Sequence, residues 1–368
     1  MKHLIYADNA ATTQMDVDVF EAMKPYLLHE YGNASQPYSF ARQPKKAIQE
    51  ARETIASCIG ALPEEIYFTS GGTESDNWAI KGIAFRNYDH RATITTAFEH
   101  HAVLHACEAI ERLGCPVAYM LPDKRGFVSP DSLERYITDE TFLVSVMYAN
   151  NELGSIQPIK ELCKVAHDHG ALFHTDAVQA VGHVAINVND LGVDMLSASA
   201  HKFNGAKGVG FLYIRTGTTL PPYADGGAQE HGLRAGTENV AGIVSMAVAL
   251  KKNVNDLDKN QRHILKLEGL LLQALNKSGI PYVRNGGDHT LPGVISLSFD
   301  GKDGEAILHR MDLMGVCIST GSACDSKNTE ISHVLQAIRM PESLAKGTIR
   351  ISLGKNNTAD DIDTIVTA

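Results

Sequence analysis

The chain has 368 residues, 44% hydrophobic and 21% charged, ordinary for a globular protein and enough for two domains or one large domain with an appendage. Its formal net charge of -10 repels polyanions, which argues against nucleic acid as a direct ligand, and no run approaches the roughly 20 apolar residues of a bilayer span. The start, Met1 to Asp8, has no apolar signal segment, so a cytoplasmic location is expected, and six cysteines without CxxC or short Cys/His spacing argue against a disulfide framework and a structural zinc site.

Helical periodicity comes first, over 17–28 and 45–59, with Pro44 marking where the second helix starts or bends. An apolar segment at 66–69 leads through a Gly-rich turn into another helix. Strand-like runs recur at 93–95, 117–120, 142–146 and 171–174, separated by helix-like stretches at 103–113, 132–137 and 160–169. This alternation predicts an α/β fold, a mainly parallel sheet between layers of helices, whose ligands gather beyond the carboxyl ends of the strands. Two more apolar runs, 193–196 and 209–214, bracket a loop. After Gly236 one long helical stretch is expected over 239–276, and strand-like 293–299 and 348–353 with a helix at 303–314 predict a smaller α+β unit. The expected division is 15–255 for the large domain, and 1–14 with 256–368 for the small one. No internal repeat is visible.

Five stretches carry residue types suited to chemistry. In Ser197-Ala198-Ser199-Ala200-His201-Lys202, the lysine lies where two buried strands break. Partial desolvation there would lower its pKa and make the amine a nucleophile; the plain alternative is a surface charge. Thr69-Ser70-Gly71-Gly72-Thr73-Glu74-Ser75-Asp76-Asn77 reads as a strand, a glycine pair and a helix start, with Thr73 and Asp76 as a capping box. That is a phosphate cradle or a simple capped turn, and it has neither the P-loop lysine nor the dinucleotide spacing. Asp176, ending an apolar strand, either caps a helix or pairs with a cationic ring nitrogen such as that of a pyridoxal cofactor. His100, after Glu99, either caps a helix or stacks on a flat cofactor and moves a proton. Asn150-Asn151-Glu152-Leu153-Gly154 ends a further strand. Four successive strand ends thus carry His, Asn, Asp and Lys, a coincidence that caps alone do not explain.

Together these stretches resemble the cysteine desulfurases of the NifS/IscS type, in the class V aminotransferase group. The resemblance runs from Tyr6-Ala7-Asp8-Asn9 to Ser352-Leu353-Gly354, and its most specific part is Ser319-Thr320-Gly321-Ser322-Ala323-Cys324, the loop that in this family bears the sulfur-receiving cysteine. It implies the fold-type I architecture of pyridoxal 5'-phosphate enzymes, with a mainly parallel seven-stranded sheet and a smaller α+β domain. It further implies that Lys202 covalently holds the cofactor aldehyde, Asp176 pairs with the pyridine nitrogen, Gln179 contacts the ring hydroxyl, and His100 stacks on the ring and transfers protons. Thr73, Ser199 and His201 would hold the phosphate with the backbone of Gly72, and Thr237 would reach the phosphate of a second subunit, hence a homodimer. Asn151 would touch both cofactor and substrate, and Arg350 would bind the substrate carboxylate as a guanidinium fork.

The implied activity converts L-cysteine to L-alanine, with sulfur held on Cys324 as a persulfide. The sulfur then passes to an acceptor protein, an iron–sulfur scaffold or a thiolation enzyme acting on tRNA or another cofactor. No metal is implied. A selenocysteine lyase and a non-catalytic sulfur-relay or scaffold protein of the same fold are the alternatives. The stretch after Cys324 resembles the family's long-loop subgroup, with Ile331 where a proline is usual. Ala34, Tyr38 and Ala228 also depart from the family pattern, standing for proline, histidine and glycine.

Overall fold

A computed structural model describes residues 4–86, 92–321 and 331–368. After a two-residue strand β1 (Ile5–Tyr6), helices α1 (Val17–Leu28) and α2 (Arg42–Ile59) lead to β2 (Ile66–Thr69) and α3 (Gly72–Arg86). Pro44 lies in the first turn of α2, where its missing N–H has no intrahelical partner to lose, so the helix begins at Arg42 without a break. Next come β3 (Ala92–Thr96), α4 (His101–Glu111), β4 (Val117–Met120), the short α5 (Pro130–Glu134), β5 (Thr141–Ser145), α6 (Ile159–Asp168) and β6 (Leu172–Asp176). Then α7 (Val188–Leu191) precedes β7 (Met195–Ser199) and β8 (Gly210–Ile214).

These strands form a seven-stranded sheet in the order β2-β8-β7-β6-β5-β3-β4, as the alternating pattern predicts. Only β8 runs against the rest. The five residues of β7 and the five of β8 are all buried, which is why the sequence there is continuously apolar or small rather than alternating. One hydrophobic cluster packs helices α2, α6 and α8 (Val240–Asn255) against one face, with Ile55, Phe68, Phe173, Phe211 and Leu250 at its centre. A second, with Trp78, Ile80, Val103 and Leu212, seats α3 and α4 on the other.

The single helical stretch expected over 239–276 is two helices. Helix α8 ends at Asn255, Asp256 leaves helical geometry (φ -95°, ψ 9°), and α9 (Leu257–Ser278) starts in a new direction. Beyond it, β9 (Val283–Asn285), β10 (Val294–Ser298), α10 (Gly304–Leu313), β11 (Val316–Cys317), α11 (His333–Ala337), α12 (Glu342–Ala345), β12 (Thr348–Ser352) and α13 (Ala359–Thr367) follow. Here β12-β10-β9 make an antiparallel sheet, and β1 pairs with β11. Leu267, Leu271, Ile295, Ile351 and Ile362 form a separate core beneath this sheet.

A buried ion pair ties the loop before α8 to the large sheet. Arg52 of α2 bonds both carboxylate oxygens of Glu230, at 2.9 and 2.6 Å, and stacks 4.4 Å from the centre of the Phe68 ring. Glu230 also accepts from the Phe68 N–H, and it takes a left-handed backbone (φ 45°) to do so. Among the described residues no helix is long and apolar enough to cross a membrane.

Candidate active site

The order of the sheet explains the clustering of chemistry-bearing residues. Strands β3, β5, β6 and β7 are consecutive neighbours, and all four run parallel, so the loops after them open on one edge. His100 follows β3, Asn150 and Asn151 follow β5, Asp176 ends β6, and Lys202 closes a short 3-10 turn after β7. They meet at a cavity of about 360 Å³ whose wall also includes Gly72, Thr73, Gln179, Ser199, His201 and Arg350. Thr237 is not part of this wall; it lies exposed in the loop before α8. Cys324 falls outside the described residues, but Ser319 and Gly321, just before it in sequence, line the same cavity.

The amine of Lys202 reaches the backbone carbonyls of Ala10 and Ala11 at 2.5 and 2.9 Å. Its own carbonyl is held by His183 Nε2 at 2.8 Å, so the turn that delivers the amine is fixed from behind. Asp176 is 5% exposed, and one of its oxygens accepts from Val178 N–H at 2.9 Å. Burial pushes its carboxyl up to about 6, against the pull of the Val178 N–H and of the Lys202 charge. Behind it a buried chain crosses three strands: Ser145 Oγ to His174 Nδ1 at 2.8 Å, and His174 Nε2 to Ser197 Oγ at 3.0 Å. Burial lowers His174 to about 3, so this imidazole is a neutral brace for the acid's strand.

His100 caps α4, its Nδ1 accepting from Ala102 N–H at 3.1 Å, which leaves the ring proton on Nε2. Burial first, then the charges of Lys202, His101 and His105, lower it to about 4; the ring is neutral near pH 7. Its capping and its cavity-lining roles are therefore compatible. Likewise His201 is lowered to about 4 by burial and by Lys202 and Lys207, with Nδ1 3.1 Å from Thr12 Oγ1.

The glycine pair is a close-approach site. Gly71 has φ 149°, a Cβ on Gly72 would strike Val178 Cγ2, and α3 starts at Gly72, which lines the cavity with Thr73 and Ser199. The capping box expected between Thr73 and Asp76 is not formed. Glu74 closes the turn instead, accepting from Ser70 N–H at 3.0 Å, and Asp76 is 1% exposed, facing inward. Asp76 Oδ1 is buried without a hydrogen-bond partner, 3.7 Å from His174 Nε2, and burial with the neighbouring Asp176 holds its carboxyl well above the usual range. Its signal in sequence was an acid two residues before the apolar run Trp78-Ala79-Ile80, on the inner face of a helix.

At the far end, Arg350 on β12 is 6% exposed. It donates to Asn151 O at 2.9 Å and to Asp8 Oδ1 at 2.7 Å, while its Nε is buried without a hydrogen-bond partner. Asp8, the ion-pair partner of this guanidinium, was not singled out from sequence; nothing in its local pattern marks a contact 342 residues away.

These groups fit a phosphorylated pyridine aldehyde. An amine, a buried carboxyl with a second buried acid beside it, a flat neutral imidazole and a helix start flanked by hydroxyls surround one cavity of suitable size. With cofactor absent, Asp176 carries the cost of its burial alone. A carboxyl raised in the folded state contributes stability below its unfolded value near 3.8 and loses that contribution as pH rises through about 6. Asp176→Asn in the cofactor-free protein is therefore expected to gain stability over wild type across that window, read as urea midpoints from pH 4 to 8, while its affinity for pyridoxal phosphate falls.

The family described as Aminotransferase class-V matches residues 5–365. Cysteine desulfurase IscS of Dictyoglomus turgidum is 49% identical over 365 residues, covering 99% of this chain and 93% of that one. Cysteine desulfurase IscS of Methanosarcina thermophila is 47% identical, covering 98% and 90%. Among solved structures, a NifS-like protein superposes with TM-score 0.94 at 37% identity, covering 99% of this chain and 98% of that one. SspA in complex with cysteine does so with TM-score 0.87 at 37% identity, covering 96% and 100%. With its sheet, its lysine turn and its glycine cradle in place, the chain belongs to the class-V aminotransferase family, among the pyridoxal-phosphate-dependent cysteine desulfurases of the NifS/IscS type.

Proposed function

We propose that this chain takes sulfur from L-cysteine, releases L-alanine and holds the sulfur on Cys324 as a persulfide for an acceptor protein. The observation that carries this reading is the composition of one cavity. Lys202, Asp176 and His100 line it together with Arg350 and Asn151, and with Ser319 and Gly321, which lead directly to the segment bearing Cys324. That a structurally similar protein, SspA, was solved with cysteine supports the substrate.

Bound pyridoxal phosphate supplies an electron sink for the pair left when a Cα–H bond breaks. The chain's own residues do the rest. Arg350 and Asn151 hold the substrate carboxylate, the buried Nε of Arg350 being a donor still open to it. Lys202, whose amine reaches the carbonyls of Ala10 and Ala11, would hold the cofactor through that amine and would take the Cα proton of the substrate as a general base. Asp176 would pair with the ring nitrogen and Gln179 with the ring hydroxyl. His100, neutral with its proton on Nε2, would cover the ring and move protons at the substrate. Gly72, Thr73, Ser199 and His201 would hold the phosphate.

The Cys324 thiolate attacks the substrate sulfur. As the S–S bond forms the Cβ–S bond breaks, its electron pair stays on carbon, and a proton is taken up there. L-cysteine plus an enzyme thiol thus gives L-alanine plus an enzyme persulfide, with no outside oxidant. A thiolate is required because a thiol is a poor nucleophile.

Several finer features belong to the same proposal. Residues 15–255 would form the large domain, and 1–14 with 256–368 the small one, in agreement with the separate core under β12-β10-β9. Thr237, exposed and away from its own cavity, would serve the phosphate of a partner copy in a homodimer, and exposed Leu27, Leu28, Tyr31 and Phe40 offer apolar surface for that contact. The enzyme would work in the cytoplasm, supplying iron–sulfur cluster assembly or thiolation of tRNA. The test is to supply the purified holoprotein with L-cysteine and a thiol reductant. Alanine and sulfide are expected in equal amounts, and without reductant alanine formation should stop once Cys324 is loaded. Cysteine consumed without alanine would overturn the reading.

A further inference from the structure

Both ends of the 322–330 segment return to one side chain. Glu152 lies in the loop after β5, beside Asn151, and is 4% exposed. Its backbone is fixed by Asn150, whose Oδ1 accepts from the N–H groups of Glu152 and Leu153, each at 2.9 Å, and whose Nδ2 donates to Phe98 O. On the return side of the segment, Ser332 Oγ donates to Glu152 Oε2 at 2.6 Å while accepting from Val334 N–H, so the same hydroxyl starts α11. On the departing side, Gly321 passes so close to that oxygen that a Cβ would collide with it, and the space such a Cβ would fill is 3.4 Å from Ser332 Cβ.

The same frame includes the proposed substrate clamp. Ser319 and Arg350 exchange two backbone hydrogen bonds, at 3.0 and 2.7 Å, and the Arg350 guanidinium bonds the carbonyl of Asn151, next to Glu152. The contacts close into a ring: Arg350, Ser319, Gly321, Glu152, Asn151 and back to Arg350.

We infer that Glu152 is a positioning residue, whose buried carboxylate fixes the two roots of the Cys324-bearing segment relative to the substrate clamp. The inference rests on the reading of Cys324 as sulfur acceptor. Glu152 is not itself among the described residues that line the cofactor cavity; it acts through Gly321 and Ser332. It sets where the segment starts and ends, and hence where sulfur is met. A geometric error at such a base costs rate rather than affinity.

Three single variants of the holoenzyme test this: Glu152→Ala, Glu152→Gln and Ser332→Ala. Expected for Glu152→Ala are an unchanged visible spectrum, an unchanged KM for cysteine, and single-turnover alanine formation slower by about ten- to a hundredfold. Ser332→Ala should lose a comparable factor, and the Glu152→Ala/Ser332→Ala double variant should be no slower than the worse single, because the two act through one bond. In Glu152→Gln the amide oxygen still accepts from Ser332, so most of the rate should return. The rate at which iodoacetamide alkylates Cys324 should shift in Glu152→Ala and Ser332→Ala, a readout independent of turnover. Wild-type rate in Glu152→Ala, a change confined to KM or cofactor retention, or additive losses in the double variant would each overturn the proposal. Absence of alanine from wild type would instead overturn the desulfurase reading on which it rests.

Discussion

Lys202→Ala is expected to abolish alanine formation and the visible absorption of bound cofactor together. Two functions vanish with one amine: the covalent hold on the aldehyde and the base that takes the Cα proton. Loss of a positioned base alone is worth about 10²- to 10⁴-fold, so activity should fall by roughly 10³-fold or more. The fold should survive, because Lys202 lines the cavity rather than the core, and the carbonyls of Ala10 and Ala11 that its amine reaches border the same cavity. Lys202→Arg should not restore activity, since a guanidinium keeps its proton at any working pH. Absorption spectra and alanine assays on the two variants decide the matter; persistent alanine from Lys202→Ala would remove the amine from the mechanism.

Cys324→Ala should separate the two halves of the chemistry. The described residues that line the cavity, Lys202, Asp176 and His100 among them, are all retained in this variant, so cofactor binding and its visible spectrum are expected to be unchanged. Sulfide release and alanine formation should both drop by roughly 10³-fold or more, the scale at which a covalent nucleophile matters. Cys324→Ser should be as poor, because a hydroxyl does not take sulfur. Undiminished sulfide from either variant would mean that sulfur leaves the substrate without this thiol.

The alternation of apolar runs and helical periods was sufficient to expect a mainly parallel sheet, because strands buried on both faces must be apolar throughout. It also brought His100, Asn151, Asp176 and Lys202 to one edge, since each follows a strand and the four strands are neighbours. Two kinds of feature were not legible. Breaks inside helical sequence, such as Asp256 between α8 and α9, depend on which core each half packs into, and periodicity carries no record of that. Long-range polar partners were also hidden. Asp8 with Arg350, Glu230 with Arg52 and Glu152 with Ser332 each join distant parts of the chain, and none has a local pattern that names its partner. The capping box read between Thr73 and Asp76 failed for a related reason: Glu74 reaches the Ser70 N–H better, and Asp76 is drawn inward by Ser197 and His174.

The consecutive order of β3, β5, β6 and β7 makes the sheet a ruler. Adjacent strands lie about 4.8 Å apart, so the imidazole, the amide, the acid and the amine are metered across roughly 14 Å by main-chain hydrogen bonding. Substitution inside the loops can alter what each mark carries, but the interval between marks stays set by the backbone. Drift in loop sequence can therefore change what is presented at the cavity without changing the spacing at which a flat ring is gripped.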